Sequence, residues 1–148
     1  MSLETKIGED LKAAMKSKDQ AALRSVRAIK AAILLFKTDG SGNVLDESGE
    51  IKLLQKLVKQ RQDSLDIFVK QGREDLAVTE REEIAIIQKY LPAQLNDEEL
   101  KKSIQAIISE SGATSIKEMG KVIGLANQKM AGKADGKTIA NMVKELLT

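Results

Sequence analysis

Apolar residues recur along this chain at intervals of three and four and nowhere alternate over a useful length. That spacing places them on one face of successive helices, not on strands. A first helix is predicted over 3–17, with Leu3, Ile7, Leu11, Ala14 and Met15 on one side. Asp19 is placed to cap a second over 20–37, where Ala22, Val26, Ile29, Ile33 and Phe36 keep helical spacing. Thr38 to Gly49 is rich in turn formers and reads as an exposed loop. A long helix follows over 50–71, with Leu54, Leu57, Val58, Leu65 and Phe68 as its stripe. Gly72 suits the left-handed position beyond its end. A fourth helix, 73–90, carries Leu76, Ile84 and Ile87. It must stop near Leu91, because Pro92 disfavours helical geometry at the preceding residue.

After this joint, Asn96 caps a fifth helix over 97–110, with Asp97, Glu98 and Glu99 in the first turn, where the helix dipole favours acids. Gly112 ends it. Ser115-Ile116-Lys117-Glu118 fits a capping box that opens a sixth helix, reaching Met130, with Met119, Val122, Ile123, Ala126 and Met130 inward. The last helix runs over 136–147, with Ile139, Val143, Leu146 and Leu147 inward. The expected fold is therefore all-α: an N-terminal domain of about four helices at 1–91 and a small three-helix domain at 96–148. Residues 1–94 are expected to fold alone more readily than 95–148, on the ground that the tail has few large apolar groups.

A length of 148 residues suits one ordinary domain or two small ones. Aromatics make up only 2% (Phe36, Phe68 and Tyr90), so the core must be aliphatic. The same shortage argues against a binder that stacks bases on aromatic platforms. The absence of cysteine and histidine excludes disulfides, thiol nucleophiles, His/Cys metal sites and histidine acid–base chemistry. No metal, cofactor or catalytic residue is expected. The net charge of +2 is too small to name a partner by itself. The polar, acid-bearing start MSLETKIGED resembles neither a signal nor a transit peptide, and the longest apolar run, Ala31 to Phe36, cannot span a bilayer. A cytoplasmic location with no membrane association is the resulting expectation.

One stretch spells like a phosphate loop: AGKADGKT, Ala131 to Thr138. A phosphate loop needs a strand before it and a sheet to hold the metal-binding acid. Here a helix precedes it, few residues follow, and Asp135 would aim a carboxylate at the phosphates. The stretch reads instead as a turn between two helices: Gly132 ends the sixth, Asp135 caps the seventh and Gly136 begins it. Between residues 119 and 137, Lys121, Lys129, Lys133 and Lys137 face only one acid, Asp135. Such a basic turn can meet a nucleic-acid backbone without hydrolysing anything, although lysines on a helix surface are more often simply solvated.

Arg61 falls within the apolar ridge of the third helix, where a charge must reach solvent or pair with an acid. Glu80 and Glu83 on the next helix are the sensible partners, and Arg61–Glu83 is the candidate structural ion pair. The run Glu80-Arg81-Glu82-Glu83 reads as exposed helix charge more readily than as a catalytic carboxylate pair. Arg24, Arg27, Lys30 and Lys37 give the second helix a basic side.

The stretches LRSVRAIKAAI (Leu23 to Ile33), KQRQDSLDIFVKQGREDLAVTEREEI (Lys59 to Ile84), YLPAQL (Tyr90 to Leu95), MGKVIG (Met119 to Gly124) and GKADGKTIANMVKELL (Gly132 to Leu147) together resemble the YqeY-like family over essentially the whole chain. Ile123 stands where that family often has methionine. The C-terminal part is also similar to the tail domain of GatB, a subunit of the tRNA-dependent amidotransferase, whose tail helps grip tRNA. The matching positions are Gly120, Lys121, Gly124, Gly132, Asp135, Gly136 and Lys137. The resemblance implies tight helix packing for the glycines, capping for Asp135 and backbone contact for the lysines. It implies tRNA, or a tRNA-bound enzyme, as partner. A protein adaptor without RNA binding is the rival. A role in glutamine-dependent carbon–nitrogen ligation is a third reading, inherited through the tail.

Overall fold

The structure, a computed structural model, describes residues 2–148. Among them are seven α-helices and no strand. In order these are α1 (Leu3–Ser17), α2 (Gln20–Lys37), α3 (Glu47–Lys70), α4 (Glu74–Gln88), α5 (Asp97–Ser111), α6 (Met119–Lys129) and α7 (Gly136–Leu147), with one 3-10 turn at Ile116–Glu118. The chain divides into two compact units, Met1–Leu91 and Pro92–Thr148.

Local chemistry sets most helix ends. Asp19 accepts from the Ala22 amide at 3.0 Å and Asn96 from the Glu99 amide at 2.8 Å, so each satisfies an orphan donor of a first turn. α3 begins earlier than its apolar stripe predicts, because Asp46 rather than a later residue is the cap, accepting from Gly49 N at 2.7 Å. Gly72 and Gly112 close α3 and α5 in the left-handed region, at φ 68° and 71°. The expected capping box does not form. Ser115 makes no side-chain cap, and Glu118 reaches past it to the Thr114 amide at 2.6 Å. The segment tightens into the 3-10 turn and α6 starts only at Met119.

In the first unit, α2 packs against α1 and α4, and α3 forms a hairpin with α4. Ile7, Val26, Ile29, Ile33, Leu54 and Ile87 fill its core. Two residues assigned inward by spacing lie outside it: Met15 is 57% exposed and Leu76 is 38% exposed. Both sit near a helix end. At the other end of the unit, the Tyr90 hydroxyl donates to the Asp10 carboxylate, and the Lys6 ammonium lies 5.2 Å from the Tyr90 ring centroid. Burial, then the bond to Asp10, pushes the phenol well above its ordinary range.

In the second unit, α6 packs on α5 and α7, around Leu100, Ile104, Ile107, Val122, Met130, Ile139 and Val143. For its length this core is no sparser than the first, so the ground for expecting a weaker tail does not hold.

Candidate functional site

The AGKADGKT stretch is a turn held from two directions. Gly132, at φ 77°, takes a left-handed conformation that favours glycine. Its carbonyl accepts from Gln94 Nε2 at 2.6 Å, and the neighbouring Lys133 carbonyl accepts from the Leu95 amide at 2.9 Å. Gln94 also donates to the Pro92 carbonyl at 2.8 Å, which holds the 92–95 segment against the turn. Ala134 is buried beneath. Asp135 then accepts from the Thr138 amide at 2.6 Å and opens α7. The turn therefore presents committed carbonyls where a phosphate loop presents free amides. A carboxylate already occupies the N-terminus of the following helix.

All four candidate lysines, Lys121, Lys129, Lys133 and Lys137, are exposed. Lys129 is tied to Glu110, with Nζ to Oε2 at 3.3 Å. Lys121, Lys133 and Lys137 pair with no carboxylate among the described residues. Gly120 and Gly124 overturn one expectation. A Cβ at either would meet nothing, and the same is true of Gly136. These three glycines are not needed for helix packing, because their open side faces solvent. Gly120 and Gly124 instead leave a bare strip on α6 beside Lys121.

Sequence spacing gave no hint of the concave feature next to that strip. Ile107, Glu110 and Ser111 of α5 and Leu125, Gln128 and Lys129 of α6 line a cleft of about 380 Å³. Its one sequence signal is Leu125, an apolar residue out of phase with the inward stripe of α6 and 40% exposed. The rest depends on two helices that are remote in sequence meeting side by side.

In the first unit, Arg61 Nε lies 3.6 Å from Glu83 Oε1, and its Nη1 donates to the Leu57 carbonyl at 3.1 Å. Glu80 lies beside the same pair. Burial is the main cause that pushes its carboxyl upward, then the charge of Glu83, with Arg61 opposing both. The other members of the run have separate partners: Arg81 with Glu74, and Glu82 with Arg24 at 3.2 Å. On the basic side of α2, Lys37 pairs with Glu4, whereas Arg27 and Lys30 pair with no carboxylate among the described residues. No group of acids, histidines and cysteines suited to a metal occurs among the described residues. No helix among them is long and apolar enough to cross a membrane.

The chain is 33% identical over 139 residues to Altered inheritance of mitochondria protein 41, mitochondrial, of Kluyveromyces lactis, a match covering 92% of this chain and 71% of that protein. It is 35% identical over 108 residues to the protein of the same name from Eremothecium gossypii, covering 72% of this chain and 59% of that one. Against the Clavispora lusitaniae protein, identity is 33% over 142 residues, with 93% and 82% covered. These relatives correct the expectation of a cytoplasmic location, since each is named a mitochondrial protein. A polar first stretch in a chain that spans only part of these relatives' length carries no information about compartment. The model of the Yqey-like protein family matches residues 4–147, both units included. The chain belongs to the Yqey-like protein family.

Proposed function

We propose that this protein is an RNA-binding accessory protein whose C-terminal unit holds the sugar–phosphate backbone of a folded RNA such as tRNA, alone or on a tRNA-bound enzyme. The observation that carries the reading is the set Lys121, Lys133 and Lys137: exposed, without carboxylate partners among the described residues, and carried by α6, the turn after it and the start of α7. Lysines are point charges suited to phosphate. The bare backbone at Gly120 and Gly124 lets a ligand approach α6 more closely than any side chain would allow. The likeness to the GatB tail supports tRNA as the RNA. Amidation rests on that likeness alone and is not part of the proposal.

A salt series tests it. With labelled tRNA, three engaged lysines give a slope of log K against log salt of about −2 to −3. Replacing Lys121, Lys133 and Lys137 together by Ala flattens the slope and leaves helicity unchanged. Failure of the parent protein to bind RNA at low salt, or an unchanged slope in the triple variant, removes the reading.

The rival adaptor reading has one observation in its favour. Leu34 and Leu35 on α2 and Val44 in the following loop are 61%, 72% and 85% exposed. Leu34→Ser with Leu35→Ser, compared with the parent in protein capture, tests that surface separately.

A further inference from the structure

The α5–α6 cleft belongs to the same unit as the three free lysines but plays no part in the lysine argument. Its floor is apolar: Ile107 is buried, and Leu125 is the off-stripe residue of α6. Its walls are largely carbon too, with polar ends at the rim. Glu110, Ser111, Gln128 and Lys129 complete the lining. A nucleobase suits both parts, with a flat face for the aliphatic floor and a hydrogen-bonding edge for the walls. Charge also favours a nucleic acid. Lys121, Leu125 and Lys129 follow one another at intervals of four, so they share a face of α6. Lys121, which pairs with no carboxylate among the described residues, stands one repeat, roughly 6 Å of helix, from Leu125, where a flanking phosphate of an inserted base would run.

We propose that the cleft receives a single unstacked guanine from a single-stranded loop of the bound RNA, lying on Leu125 and Ile107 and read by Glu110. A carboxylate only accepts hydrogen bonds. Guanine is the base that offers two adjacent donors, N1–H and the 2-amino group, to one such acceptor. Adenine offers its amino group beside an acceptor, which faces the second carboxylate oxygen unfavourably. The Lys129 ammonium, 3.3 Å from Glu110, holds that carboxylate in place. Gln128, whose amide has no hydrogen-bond partner among the described residues, supplies a further donor and acceptor at the rim.

This inference rests on the RNA-binding reading, and the two can fail separately. The full-length chain is titrated with four labelled RNA hairpins that differ at one loop position: guanine, inosine, adenine or an abasic site. The guanine loop binds best and the abasic loop roughly tenfold more weakly, the scale of a lost bidentate base contact. Inosine, lacking the 2-amino group, falls between. Glu110→Gln removes the preference for guanine over inosine and does not flatten the salt slope, since it takes no lysine away. Equal affinity for all four loops with a steep salt slope overturns the guanine site and leaves the lysine reading standing. A guanine preference that survives Glu110→Gln also overturns it, because the reader then lies elsewhere. Absence of RNA binding at every salt concentration overturns both. Capture of a partner protein that is lost in Leu125→Glu, with RNA binding indifferent to that change, assigns the cleft to a protein instead.

Discussion

Arg61 of α3 and Glu83 of α4 face each other across the hairpin, Nε to Oε1 at 3.6 Å, with side chains only 16% and 12% exposed. The pair is too enclosed to be dismissed as surface decoration and too loosely bonded to be a strong contributor. Arg61 Nε has no hydrogen-bond partner among the described residues beyond this ion-pair contact. Its worth is clearest when half of it is removed. Glu83→Ala should destabilise the protein by about 2 kcal/mol, below the roughly 3–5 kcal/mol of a fully buried pair. Replacing both partners, Arg61→Met with Glu83→Leu, should recover most of the loss. Denaturant midpoints at neutral pH check both, and a double variant weaker than Glu83→Ala contradicts the account.

Glu80 shares that environment, and its carboxyl is pushed up chiefly by burial, then by Glu83, against the pull of Arg61. An acid with a raised native pKa keeps its proton to higher pH when folded than when unfolded. Its contribution is full below the ordinary glutamate range and is lost as pH climbs through that range to the raised value. Glu80→Gln should therefore gain on the parent protein as pH goes from about 4 to about 7. Chemical denaturation at a series of pH values reads this directly; an advantage confined to acid pH would contradict it.

Gly124 lies in the interior of α6 with open space where a Cβ would be. Gly124→Ala should stabilise the second unit by roughly 0.5–1 kcal/mol, since the substitution adds helix propensity and meets no clash. If α6 approaches RNA there, the same variant should bind RNA more weakly. A destabilised variant would mean that the helix face is covered within the fold.

Asp135 caps α7 through the Thr138 amide at 2.6 Å. Asp135→Ala should cost about 1 kcal/mol, and Asp135→Asn should cost little, because asparagine caps as well as aspartate. Amide exchange across 136–147 is the local readout. It should accelerate in the alanine variant and stay near the parent rate in the asparagine one.

AGKADGKT should bind neither ATP nor GTP. The Gly132 and Lys133 carbonyls are occupied by Gln94 and Leu95, and the Asp135 carboxylate holds the helix end. Calorimetric titration with nucleotide and magnesium should show no saturation. Micromolar affinity abolished by Lys137→Ala would show that the turn rearranges.

Much of this architecture was legible residue by residue. Helical spacing, the caps at Asp19, Asn96 and Asp135, the left-handed glycines at 72 and 112, and the break before Pro92 are local signals. They act within a turn or two of chain, so the chain alone carries them. The candidate site was legible only as a list of basic residues. Whether Lys129 is free or bound depends on Glu110, which lies on another helix.

What the sequence determined by itself was the number and type of helices, most of their ends and the aliphatic makeup of their buried faces. The tertiary structure alone decided that Lys129 is tied to Glu110, that Met15 and Leu76 fall outside the core, that Gly120 and Gly124 face open space, and that α5 and α6 leave a cleft at Leu125. The division follows from range. Backbone hydrogen bonds and caps join residues three or four apart, so they are written in neighbouring letters. Exposure, ion-pair choice and concavity depend on which helix faces which, and that is set by packing between residues tens of positions apart.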